Sequence, residues 1–419
     1  MTNLAGEDWF RDPALTRVLA LLNSDGAVGR VVGGAVRNSL LGIPVSDIDI
    51  ATTLRPEAVM ERAAAAGIKA VPTGLAHGTV TLVVDGTPFE VTTLRRDVET
   101  DGRHAQVAFS TDWQADAERR DLTMNALYVD ANGDVVDLVG GLADIDSRTV
   151  RFIGDASMRI AEDYLRILRF FRFFAHYGSG RPDATGLKAS AAARSKLRTL
   201  SAERVWSELK KLLSAADPGR ALLWMRQAGV LTEILPESEK WGIDAIPALV
   251  GTEKALGWDA DPRLRLAAIV PPDAERLAAM AARLRLSREE AAYFSAWATA
   301  PAVADDMAGT AFSRLLYRYG ADGIKVRLKL ALASARVRAE NGGVEDMQRA
   351  GRLSDLLNRA ERWQKPVFPL SGADVLAAGI AAGPKVGETL ARLETEWLDR
   401  NFSTDRATLV ARLQEIANG

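Results

Sequence analysis

Cysteine is absent from the 419-residue chain, which excludes disulfides, zinc–thiolate sites, iron–sulfur clusters and cysteine nucleophiles. Histidine is scarce: His77, His104 and His176 stand apart, an arrangement that argues against a histidine-based metal site. No apolar run reaches the roughly 18–20 residues of a membrane span. The opening stretch, residues 1–8, is acidic and polar where a signal peptide would be basic and then apolar, so the expectation is a cytoplasmic protein. Hydrophobic residues are 47% and charged residues 26%, a globular balance that excludes a disordered or fibrous chain. At roughly 100–200 residues per domain the length suits two to four domains.

The net charge of −2 hides an asymmetry. Residues 1–150 hold 13 basic against 22 acidic residues, and the rest 40 against 33. An acidic front can gather metal cations and a basic rear a polyanion; variation between solvated faces is the alternative.

The front reads as α+β. Arg30-Val31-Val32 enters a Gly-Gly turn, Ile48–Thr52 reads as a strand and Pro56–Gly67 as a helix. Gly78–Val84 and Pro88–Leu94 flank Asp85-Gly86-Thr87, a hairpin signal. Asn132-Gly133 marks another turn. The expected result is a small mixed sheet with helices. Beyond about residue 150 strand signals stop, and the Ala/Leu/Arg/Glu-rich remainder has helical periodicity, broken at residues 178–186, 217–219, 235–236 and 261–262.

Three constellations carry chemistry. In the first, Gly33-Gly34-Ala35-Val36-Arg37 ends a strand and opens a helix, which exposes backbone N–H groups to a phosphate with Arg37 one turn further on. Asp47-Ile48-Asp49 follows. Two carboxylates two apart on a strand share a face, and their repulsion is relieved by a cation such as Mg²⁺, which takes carboxylates plus substrate phosphates. Glu90 completes a trio if its strand neighbours that of Asp49; otherwise it faces solvent. The second is Arg119-Arg120-Asp121-Leu122-Thr123-Met124-Asn125: arginine for phosphate, Asp and Asn for ribose hydroxyls, or a helix start capped by Asp121. The third is Glu162-Asp163-Tyr164-Leu165-Arg166, continuing through Arg169 and Arg172. Asp163 and the three arginines fall on one helical stripe with little compensating acid, as if facing an anion or a base edge. A carboxylate beside a guanidinium matches the amine and ring nitrogen that C and A share, and mismatches U and G.

Taken together these segments resemble the class II CCA-adding tRNA nucleotidyltransferases, a family that shares a superfamily with bacterial poly(A) polymerases. Asp137 with Gly140-Gly141 and Asp144, and Glu203-Arg204 with Glu208, complete the ordered set over residues 30–210. Two features depart from or fall outside the set: Leu122 stands where the family carries Phe, and no His-Asp phosphohydrolase motif is present. The resemblance implies an α+β nucleotidyltransferase head at 1–145, an all-α neck and body at 146–270 and a helical tail at 271–419. It assigns Asp47 and Asp49 to Mg²⁺ and, with Glu90, to catalysis. Gly33, Gly34 and Arg37 would take the triphosphate, and Arg120, Asp121 and Asn125 the ribose and phosphates. Asp163 and Arg166 would form a protein template for C and A, with Arg169 and Arg172 nearby. The segment 137–144 would hinge head to neck. The implied reaction is Mg²⁺-dependent addition of C, C and A to the tRNA 3′ end from CTP and ATP, releasing pyrophosphate. The implied partner is the tRNA acceptor stem, held by phosphates and shape, with no membrane and no obligatory protein partner. With aromatics at 6%, stacking on unpaired bases is not expected to dominate. A poly(A) polymerase, a CC-only or A-only enzyme, and a non-catalytic RNA-binding protein remain alternatives. The tail segment Ser371–Leu376 with Gly383-Pro384-Lys385-Val386-Gly387 either meets an RNA phosphate or joins two helices.

Overall fold

A computed structural model describes residues 2–101, 104–239, 242–340 and 342–418, with backbone alone at 97–101 and 104–107, so the side chain of His104 lies outside it. The chain divides into two compact units, Met1–Glu239 and Lys240–Gly419. The boundaries expected after residues 145 and 270 each fall inside a unit; as a division of labour they belong to the proposed function.

The first unit opens with α1 (Pro13–Leu22), which Asp12 starts by accepting from the Ala14 N–H at 2.7 Å ahead of a proline at the first helical position. Leu15, Val18, Leu19 and Leu22 form its buried stripe. Nine strands follow among the described residues: β1 (Gly29–Val32), β2 (Asp49–Thr52), β3 (Lys69–Gly74), β4 (Thr79–Val84), β5 (Thr87–Thr93), β6 (Arg95–Asp101), β7 (His104–Phe109), β8 (Leu127–Val129) and β9 (Val135–Asp137). Seven form one mixed sheet in the order β3-β4-β5-β2-β1-β8-β9, and β6 pairs with β7 separately. The anticipated hairpin joins β4 to β5, with Asp85 and Gly86 both at positive φ (50° and 86°), the backbone a two-residue turn of matching twist requires. Along β4, Val80, Leu82 and Val84 are buried alternately. The period-2 pattern that identifies β4 is missing from β3, whose burial follows no alternation, and β3, β6, β7, β8 and β9 are not anticipated from the sequence.

Within this sheet β2 and β5 run parallel, the one parallel pair, with Asp49 opposite Glu90. Helices α2 (Gly34–Leu40), α3 (Pro56–Ala65), α4 (Trp113–Glu118) and α5 (Gly141–Asp146) belong to the same part of the chain. Among the described residues strands then cease apart from a bridge between Leu122 and Phe152. Next come α6 (Ala156–Glu162), α7 (Leu165–Tyr177), α8 (Ala184–Ala193) and α9 (Ala202–Leu213). On α7, Leu165, Ile167, Leu168, Phe170, Phe171, Phe173 and Phe174 are buried, leaving Arg166, Arg169 and Arg172 on the remaining stripe. Burying each large apolar side chain contributes about 1.5–3 kcal/mol, which fixes the rotation of α7 and therefore where the arginines lie.

The second unit is helical throughout its described residues, from Ala245–Leu256 to Arg406–Asn418. One core gathers Phe312, Leu316, Ile324, Leu328 and Leu353, and another Val375, Leu393, Trp397 and Leu409. The segment Ser371–Gly387 joins helices Gly372–Ala377 and Pro384–Asp399, and the first is opened by a capping box of Ser371 and Asp374.

Candidate active site

The pairing of β2 with β5 places Asp49 and Glu90 side by side on one sheet face. Asp47 precedes β2 rather than lying on it, so strand alternation does not orient its side chain, and its Oδ2 accepts from the Ser46 hydroxyl at 2.9 Å. All three carboxylates are exposed, with no ion pair to any basic group among the described residues. The Asp49 carboxyl is raised from its ordinary value, first by the crowding around it, then by the charge of Glu90 and, less, of Asp47; Arg120 acts against the shift. Like charges that raise one another's pKa mark a place where a cation is favoured. No group of three or more His, Asp or Glu side chains placed to hold a metal ion exists among the described residues. The donor set is nonetheless hard oxygen on an open edge, which fits a divalent cation that completes its shell with substrate phosphates and water.

Between β1 and α2, Gly33 adopts φ 74°, a backbone region natural to glycine, and no side chain caps the first turn of α2. Arg37, one turn on, is buried. Its Nη1 donates to Asn125 Oδ1 at 2.6 Å, its Nη2 to the Tyr177 hydroxyl at 2.9 Å and to Asn38 Oδ1 at 3.0 Å. The guanidinium lies 4.3 Å from the Tyr177 ring centroid and 5.1 Å from that of Phe173. Every one of these partners is neutral, and burial lowers the Arg37 pKa. Its charge is held in place but not matched, the condition for drawing an anion.

The remaining arginines are matched. Asp121 is buried; its Oδ2 accepts from Arg169 Nε at 2.6 Å, and its Oδ1 from the Leu122 N–H and Asn125 Nδ2 at 2.9 and 3.1 Å. Arg169 holds the Asp121 carboxyl below the usual range despite burial. Arg172 pairs with Glu208 of α9 at 2.5 Å, Arg166 with Glu162, and Arg204 of α9 with Asp163 at 2.6 Å. Asp163 also accepts from the Leu165 N–H at 3.0 Å, opening α7. The stripe read from sequence as short of acid is therefore neutralised, because folding brings carboxylates from three other segments to it. The side chains of Asp163 and Arg166 do not pair with each other, since each has another partner; only the Arg166 backbone N–H donates to the Asp163 carbonyl, at 3.0 Å.

One cavity of about 500 Å³ is lined by Gly33, Gly34, Arg37, Asp49, Arg120, Asp121, Asn125, Asp163, Arg166, Arg169 and Arg172. Asp47 and Glu90 stand outside that lining. Arg119, Phe173 and Arg204 also line it, and Asp116 and Tyr177 bond to its walls. Of these five, sequence reasoning offered only Arg119, as one of the basic pair for phosphate, and missed the other four as site residues. Arg204 and Asp116 carried a signal: the first stands in Glu203-Arg204, and the second lies four residues before Arg120, one helical turn.

This sheet, with its glycine turn, strand-edge carboxylates and arginine-lined cavity, is that of a nucleotidyltransferase: residues 29–151 match the Poly A polymerase head domain and 183–241 the probable RNA and SrmB-binding site of polymerase A. The chain is 35% identical over 399 residues to CCA tRNA nucleotidyltransferase 1, mitochondrial, of Mus musculus, covering 92% of this chain and 86% of that protein. It is 38% identical over 228 residues to the CCA-adding enzyme of Geobacillus thermodenitrificans, covering 54% and 55%. The crystal structure of the Bacillus stearothermophilus CCA-adding enzyme in complex with CTP superposes with a TM-score of 0.69 at 27% identity, over 97% of each chain. The chain belongs to the CCA tRNA nucleotidyltransferase family and is an enzyme of that family. Among the described residues no helix is long and apolar enough to cross a membrane.

Proposed function

We propose that this chain adds C, C and A to the 3′ end of tRNA from CTP and ATP, releasing pyrophosphate. The observation that carries the proposal is Arg37: a buried guanidinium with only neutral partners, in the same cavity as Asp49 and beside the uncapped Gly33-Gly34 turn. That arrangement suits a triphosphate at one end and a reacting 3′-hydroxyl at the carboxylate edge. Arg120 and Asn125 complete the wall that would hold phosphates and ribose. Asp47 and Asp49 would hold the divalent cation, for which we propose Mg²⁺, with Glu90 beside them. When bound, such an ion supplies charge neutralisation at the phosphates and at the attacking oxygen. The chain's own work is positioning, since phosphoryl transfer asks for alignment and electrostatics rather than a covalent intermediate. Selection of C and A falls to Asp163 and Arg166 once each exchanges its present partner for the base. The division into head (1–145), neck and body (146–270) and tail (271–419), with segment 137–144 between head and neck, follows from this reading. The basic remainder of the chain would hold the acceptor stem by its phosphates. The proposed compartment is the cytoplasm, which cell fractionation checks.

The deciding experiment offers tRNA truncated before its CCA with each nucleoside triphosphate in turn. Two additions from CTP alone, then one from ATP, support the reading. ATP-only addition of many residues supports a poly(A) polymerase, CC-only or A-only products support a restricted enzyme, and absence of pyrophosphate release supports a non-catalytic RNA-binding protein.

A further inference from the structure

Behind the two adjacent arginines of the cavity lies Asp116, whose side chain is 1% exposed. Its Oδ1 accepts from Nε and Nη2 of Arg119 at 2.8 and 2.6 Å. Its Oδ2 accepts from Nε and Nη2 of Arg120 at 3.3 and 3.0 Å and from the Tyr128 hydroxyl at 2.9 Å. The Tyr128 ring is fully buried and meets Trp113 edge-on at 5.2 Å, so the hydroxyl is fixed from both sides. One carboxylate thus holds two guanidinium groups and a phenol.

Arg120 shares the cavity with Asp49, yet no ion pair within 4 Å joins them among the described residues. A guanidinium that shares a cavity with Asp49 gains by forking onto carboxylate oxygens there. If it did, those oxygens would be taken. The buried Asp116 wins the competition because its interaction is less screened by solvent and is supported by Tyr128.

We infer that Asp116 is a positioning residue that anchors Arg120 away from the strand-edge carboxylates, keeping Asp47 and Asp49 open to a divalent cation while Arg120 remains in the cavity wall. The inference rests on the cation role proposed above for Asp47 and Asp49.

The test is Mn²⁺ binding to the full-length chain without nucleotide or tRNA, read by loss of the free-ion EPR signal. Releasing a competing unit charge at the edge predicts about tenfold weaker binding for Asp116→Asn. Adding Arg120→Gln to that variant returns the affinity to within about threefold of the parent, a reversal that a merely structural loss would not show. Arg120→Gln alone stays within about threefold, because in the parent Arg120 is already held by Asp116. The inference is overturned if folded Asp116→Asn binds as the parent does, or if the double variant stays as weak as the single one. Should Asp116→Asn not fold, Arg120→Gln decides: a roughly tenfold tightening means that Arg120 already competes for the edge, and overturns it. Asp49→Asn separates the two claims, since parent-like binding there removes the cation reading itself, whatever Asp116 does.

Discussion

Asp49 lines the cavity, with Glu90 beside it across the β2–β5 pairing and Asp47 two residues before it, and none of the three has a basic ion-pair partner among the described residues, whereas along α7 Arg166, Arg169 and Arg172 each meet a carboxylate. Both groups are crowded charge of one sign in the sequence. The difference lies in what the fold brings opposite. The strand edge gets no ion-pair partner among the described residues, and the Asp49 carboxyl is raised by burial and then by the charge of Glu90. The helical stripe gets Glu162, Asp121 and Glu208 from three other segments, so it serves as framework as well as cavity wall. Arg37 belongs with the edge in this respect: buried, oriented and hydrogen-bonded only to neutral groups. Unmatched charge marks where a ligand's charge would go, and matched charge marks what holds the walls.

The strongest way to break this comparison is Asp49→Asn. It should lower nucleotide transfer to truncated tRNA by about 10³-fold, since a catalytic cation is worth several kcal/mol and each 1.4 kcal/mol is tenfold; transfer within tenfold of the parent would make the edge ordinary surface. Next, Glu208→Leu strands Arg172 and should cost about 3 kcal/mol in urea unfolding; an unchanged midpoint would mean the pair is no framework. Arg37→Gln should weaken CTP and ATP binding by about 10- to 100-fold, as expected for losing one charged hydrogen-bonding group worth about 1.5–3 kcal/mol. Its fluorescence or calorimetric affinity checks this, and Arg169→Gln sharpens the contrast by lowering stability as well. Asp163→Asn keeps a helix cap but alters the donor pattern, and should reduce preference for CTP over UTP by about tenfold; an unchanged ratio of kcat/KM would remove Asp163 from base choice.

The smallest effect is in acid. Asp121 has its carboxyl held low in the folded state by Arg169. A depressed carboxyl contributes stability that is present above the unfolded value, about pH 4, and is lost as pH falls through the lower folded value. Between pH 6 and pH 3 the parent should therefore lose more of its urea midpoint than Asp121→Asn does.

The mixed sheet, the hairpin at Asp85-Gly86 and the helical remainder were legible because each rests on local chemistry: alternation, turn residues and helical periodicity. The neighbouring of Glu90 and Asp49 could be posed from sequence but not decided, since a parallel pairing joins strands with β3 and β4 between them in the chain. Two partners of the α7 stripe were illegible for the same reason: Asp121 lies 48 residues from Arg169, and Glu208 lies 36 from Arg172, whereas Glu162 is only four residues from Arg166. Arg37 could be named from spacing, but that its charge goes unmatched is a property of its surroundings alone.

The second Gly-Gly turn repays comparison with the first. Asp137 spends both its oxygens on four successive amides, those of Val139, Gly140, Gly141 and Leu142, at 2.9–3.1 Å. The protein has plugged that loop with its own acid group, so a dissolved anion finds no vacancy there. Two stretches that look interchangeable on paper thus end in opposite conditions, one self-sealed and one left ajar.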